Sequence, residues 1–94
     1  MTKADIVKEI SQNTGIEKVI VEKTVIAFME TVKGSLTEGS NVYLRGFGSF
    51  ILKRRAEKTA RNISKNTTLI VPSHVIPYFK PANEFVIQVK EQVK

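Results

Sequence analysis

Cysteine is absent from the 94 residues, which removes disulfides, Cys-containing zinc sites and thiol chemistry together. Histidine occurs once, at His74, so a metal site or a nucleophile–base pair would have to be built from carboxylates alone. That excludes most enzyme classes, and no catalytic residue, cofactor or small-molecule substrate is expected. No apolar run reaches the length of a membrane span. The opening MTKADIVKEI alternates charged with apolar residues in place of the apolar stretch of a signal peptide. The chain therefore reads as cytosolic, with no membrane partner. Aromatic residues are missing from one region: all seven, Phe28, Tyr43, Phe47, Phe50, Tyr78, Phe79 and Phe85, lie outside residues 51–77. Acidic residues are scarce there too, with Glu57 alone between 51 and 65.

Positive charge fills that region. Lys53, Arg54, Arg55, Lys58, Arg61 and Lys65 stand against Glu57 and give a net +5 out of the +6 of the whole chain, so the rest is nearly balanced. A basic block on an otherwise neutral body marks an element that binds a polyanion. Three of the four arginines fall inside it, and the guanidinium fork suits phosphate. Acidic residues elsewhere, such as Asp5, Glu9, Glu17, Glu22 and Glu30, read as the solvated faces of helices.

The remaining pattern supplies the body that carries the block. Thr2 and Asp5 form a capping box for a first helix whose apolar stripe is Ile6, Val7 and Ile10, ending before Gly15. Val21, Val25, Phe28, Met29, Val32 and Leu36 recur at spacings of three and four in a second helix that stops at Gly39. In NVYLRGFGSFIL, Val42 and Leu44 alternate with Tyr43 and Arg45 before the glycine-flanked Phe47 turns the chain into Ser49–Leu52, which is a hairpin. The basic strand continues through the polar turn RNISKNTT and returns along LIVPSHVIPYF, with Pro72 tolerated because each strand of a two-stranded ribbon is an edge. Pro81 is expected to open a last helix with Ala82, Phe85, Val86, Val89 and Val93 as its stripe.

The expectation is one α+β domain over residues 1–94: a helical body at 1–40, a three-stranded antiparallel sheet from 41–53 and 75–80, a protruding β-ribbon arm at 54–74 and a C-terminal helix at 81–94. An arm that reaches no core has no use for large apolar residues. A domain of this size hides only about 60–65% of its unfolded surface, so oligomerisation is expected. Readers of single strands and RNA stack bases on aromatic platforms, whereas this arm has charge without platforms and suits a duplex groove. An RNA-binding module that reads duplex shape is the rival, and competition between DNA and RNA duplexes separates the two. GFGSFI begins like a dinucleotide loop but has Ile51 at the third glycine position and no helix after it.

Three stretches, GFGSF at 46–50, RRAEKTARN at 54–62 and VIPYFKP at 75–81, resemble the turn, arm and third strand of the bacterial HU and integration host factor family of DNA-bending proteins. The resemblance spans essentially the whole chain. It implies an intertwined dimer, of identical chains or with a relative, whose two arms embrace double-stranded DNA through the minor groove with little regard to sequence. Such a protein is histone-like, associated with the nucleoid, and compacts or shapes bacterial DNA. Matched by position, it implies arm contacts from Arg55, Lys58, Arg61 and Asn62, and phosphate contacts from Lys3, Lys18, Lys53 and Lys80. Phe47, Phe50 and Phe79 become dimer core. Arg54 and Lys65 join the DNA-binding set through the basic block itself.

The departures from the family pattern lie near the tip. Ile63 stands where the family usually has a proline wedged between base pairs, Asn66 replaces the tip glycine, and Asn83 replaces a lysine common near the start of the last helix. A large β-branched residue between a basic strand and a polar turn has no core to join. Ile63 is accordingly the expected wedge, since minor-groove benders insert apolar side chains, isoleucine among them, between base steps.

Overall fold

The computed structural model describes residues 1–62 and 67–93. They form two compact units, residues 1–35 and 36–94.

The first unit begins with α1 (Lys3–Thr14), and its capping box is present as the sequence predicts. The Thr2 backbone N–H and hydroxyl donate to Asp5 Oδ2 at 2.9 and 3.0 Å, and the Asp5 N–H donates back to the Thr2 hydroxyl at 3.3 Å. Gly15 closes the helix in the left-handed region, φ 76°, with its N–H on the Ser11 carbonyl. The second helix, α2 (Lys18–Thr37), follows and runs into the second unit, where Gly39 at φ 92° stops it. Both apolar stripes are only partly covered. Val7, Val21, Val32 and Leu36 are buried, while Ile6, Ile10, Phe28 and Met29 remain exposed.

In the second unit, β1 (Val42–Leu44) turns at Gly46, φ 83°, into β2 (Gly48–Arg55). Positive φ is cheap only for glycine, which explains that residue at the turn. The Asn41 side chain extends the pairing by accepting the Leu52 N–H at 3.0 Å. Beyond the hairpin the ribbon differs from the expected pair of unbroken strands. Pairing of β2 with β5 (His74–Pro81) ends at Arg55 opposite His74, then resumes as β3 (Lys58–Asn62) against β4 (Thr67–Val71), starting with Lys58 opposite Val71. Residues 56–57 and 72–73 form a step without ladder pairing. Pro72 has no N–H to give at that point. The offset between partners is the same on both sides of the step, so no residue is gained or lost and the ribbon keeps its register.

The three-stranded sheet has the order β1-β2-β5, antiparallel throughout. β5 is an edge strand, where Pro77 and Pro81 cost no central hydrogen bond. The last helix, α3 (Asn83–Gln92), starts after Pro81, which still pairs with Gly48 in the sheet. The chain is tied into its new direction by the Ala82 N–H, which donates to the Phe47 carbonyl at 2.9 Å. Ala82, the N-cap of α3, and Phe85 are half-buried, whereas Val86 and Val89 on the helix and Val93 at its C-cap are exposed.

Candidate nucleic-acid interface

Register sorts the side chains of the sheet into two faces. Val42, Leu44, Phe50, Leu52, Val75, Pro77 and Phe79 share one of them by pairing and alternation. Here the aromatic cluster forms: Phe79 lies 5.0 Å from Phe50 and 5.1 Å from Phe47 between ring centroids, and Phe85 of α3 stacks on Phe47 at 5.6 Å. Pro81, Phe79, Phe85, Val86 and Val89 line an open apolar groove of about 480 Å³ beside it. Phe47 stays 46% exposed. The three phenylalanines expected in a dimer core are thus gathered at an uncovered apolar surface.

The opposite face carries Tyr43, Ser49, Ile51, Lys53 and Arg55, with His74, Ile76, Tyr78 and Lys80 across from them. Three of the expected DNA-binding residues, Lys53, Arg55 and Lys80, are brought together here by strand geometry. Lys53 Nζ sits 4.4 Å over the Tyr78 ring, a cation–π contact that holds the ammonium at the base of the arm. Among the described residues no ion pair engages Lys53, Arg54, Arg55, Lys58 or Lys80; the pair that forms is Lys33–Glu30, on α2. Exposed and unneutralised, these charges are available to an external anion.

Arg54 is on the other face, opposite Val75. Arg55 and Lys58 would be separated by strict alternation, yet both line a cavity of about 400 Å³ at the step in the ribbon, together with His74. Further along, Arg61 pairs with Thr68 and Asn62 with Thr67. Ile63 and Lys65 lie outside the described residues, and so does the expected wedge. Lys3 and Lys18 are the first residues of α1 and α2 in the other compact unit. No acid stands in the first turn of α2, although Glu17 directly precedes it.

A profile of the bacterial DNA-binding protein family matches residues 1–90. The chain belongs to that family. Family members with which it aligns include integration host factor subunit beta of Marinobacter nauticus, 37% identical, covering 100% of this chain and 97% of the relative. The DNA-binding protein HU of Thermus thermophilus is 34% identical, covering 97% and 94%. In three dimensions the chain matches an Anabaena HU–DNA cocrystal structure with a TM-score of 0.87 at 26% identity, over 100% of both chains.

The fold adds residues that the sequence pattern does not single out. Gly48 is buried under Phe79, and a Cβ there would stand 2.6 Å from the ring's Cζ and 2.7 Å from the Lys80 carbonyl oxygen. Its neighbours arrive from β5, so only the register reveals the constraint. Arg45, the one arginine outside the basic block, lines a cleft of about 420 Å³ with Lys80 and the start of α3. Its isolation from the other arginines was the available signal. Tyr78 as the seat of Lys53 was legible only once the two strands were paired. Among the described residues no group of three His, Asp or Glu side chains could hold a metal, and none of the helices is long and apolar enough to cross a membrane.

Proposed function

We propose that this protein is a histone-like, DNA-bending member of its family, acting as a dimer on double-stranded DNA in the nucleoid. The carrying observation is the sheet face that gathers Lys53, Arg55 and Lys80, unpaired among the described residues, at the root of a basic ribbon free of aromatic residues. A ribbon fits a duplex groove, and cations on it and on the body neutralise phosphates without reading bases. In this reading Arg54, Arg55, Lys58, Arg61, Asn62 and Lys65 bind through the arm in the minor groove. Lys3, Lys18, Lys53 and Lys80 bind flanking phosphates, Ile63 wedges between base pairs, and Phe47, Phe50 and Phe79 join the core that two chains share. The HU and integration host factor relatives and the HU–DNA cocrystal support the same reading. Because one relative is named as a subunit, mixing with a second family member separates a heterodimer from a homodimer.

Salt dependence tests the binding mode. The logarithm of affinity falls linearly with the logarithm of salt, and Arg61→Ala lowers that slope by about 1 for each phosphate left without its cation, twice over in a dimer with two arms. Affinity drops equally on unrelated duplexes; a drop confined to one base sequence overturns the reading. Ile63→Ser leaves the slope nearly intact and straightens the DNA.

A further inference from the structure

The chain's one histidine borders the step in the ribbon. His74 opens β5 directly opposite Arg55, exposed to solvent. Its Nδ1 lies 3.0 Å from the carbonyl oxygen of Pro72, inside the unpaired step. A carbonyl only accepts, so Nδ1 carries the hydrogen and donates. That bond fixes the tautomer. In the neutral ring the other nitrogen, Nε2, has a lone pair and can only accept, whereas in the charged ring it becomes a donor.

The ring borders the cavity of about 400 Å³ that Arg55 and Lys58 also line, walled on its apolar side by Val71 and Ile76. Charged and titratable groups around it come from β2, β3 and β5. β2 brings Arg55 and, on the same face, Lys53; β3 brings Lys58; β5 itself carries Tyr78 and Lys80 on that face; β4 brings the uncharged Ile70 and Val71. Glu57, in the facing half of the step, is the local acid. A cavity bordered by two fixed cations and by a ring whose charge decides whether it donates is suited to a phosphodiester, which supplies only acceptors.

We propose that His74 is a proton-dependent phosphate contact at the root of the arm, gripping one backbone phosphate of duplex DNA together with Arg55 and Lys58 when its ring is charged and letting go when it is neutral. The inference rests on the DNA-binding reading above. Proton and phosphate bind cooperatively, so each strengthens the other. No base is read by this contact; it changes how firmly the arm is anchored below its tip.

Affinity for a duplex of about 25 base pairs, measured at fixed ionic strength in buffers free of phosphate from about pH 8 down to about pH 5.5, tests this. The wild type gains affinity as the pH falls, by up to about tenfold per arm, and its salt slope steepens by about 1 per arm. His74→Gln stays near the wild-type value at high pH across the whole range, and His74→Lys stays near the low-pH value; circular dichroism verifies that both fold. Glu57→Gln retains the wild-type pH response. Parallel curves for wild type and His74→Gln overturn the proposal, as does loss of the response in Glu57→Gln, which would make Glu57 the ring's counter-charge. Absence of duplex binding by the wild type at either end of the range defeats the DNA-binding reading itself.

Discussion

At Gly48 the backbone of β2 passes so close to the Phe79 ring and the Lys80 carbonyl that a methyl group has nowhere to go. The ring cannot swing aside freely, because Phe47 and Phe50 hold it from two directions. Gly48→Ala is therefore expected to cost about 1–3 kcal/mol, read as a lower urea midpoint at fixed protein concentration. An unchanged midpoint would mean that the cluster repacks without strain. Asp5 offers a second test. The Thr2 backbone N–H, followed by the Thr2 hydroxyl, holds its carboxyl below the usual carboxylate range. A group whose folded value is depressed stabilises fully above its unfolded value, about 3.9, and loses that contribution as the pH falls through the folded value. Asp5→Asn should thus be less stable than the wild type near neutral pH, with the two unfolding curves converging as the pH drops toward about 2. A difference that persists unchanged in acid would assign the effect to something other than the carboxylate.

Among the elements, the helices were the most legible. Thr2 and Asp5 announced the start of α1 and Gly39 the end of α2, because capping and left-handed stops depend on neighbours a few residues away. The hairpin at Gly46 was legible for the same reason. The division of the ribbon into two ladders was not, since it depends on what stands across from Pro72. Neighbouring residues place that proline on an edge, but nothing local shows that the strand breaks there. Pro81 misled in a similar way: it suits a helix start, yet pairing with Gly48 keeps it in the sheet. The cationic face was partly legible. Lys53 and Arg55 show their shared side by alternation, but Lys80 and Tyr78 join them only through strand pairing. Because register runs unchanged through the step, restoring a donor there should close it. Pro72→Val is expected to slow amide exchange around residues 56–57 and 72–73 by roughly five- to tenfold, about the worth of one added hydrogen bond. Exchange as fast as in the wild type would mean that something other than the missing N–H keeps the ladder open.

For the whole molecule, two surfaces have to be explained together. One is apolar: in the second unit, the groove beside Phe79 and Phe85 and the exposed Val86 and Val89 on α3 are left open by a single chain. The other is cationic, the face that carries Lys53, Arg55 and Lys80 on a chain whose net charge is +6. A dimer covers the first and doubles the second, giving two arms that act on one duplex from a common body. Affinity then comes from phosphates, and bending comes from two arms that hold the DNA at separated points. The most direct measurement is energy transfer across a duplex of about 25 base pairs labelled at both ends and saturated with the dimer. The end-to-end distance should shorten by roughly 10–30%, the geometry of a bend of about 50–90°. A tight, salt-sensitive complex in which the DNA keeps its free length would contradict the bending role and leave a protein that only coats its duplex.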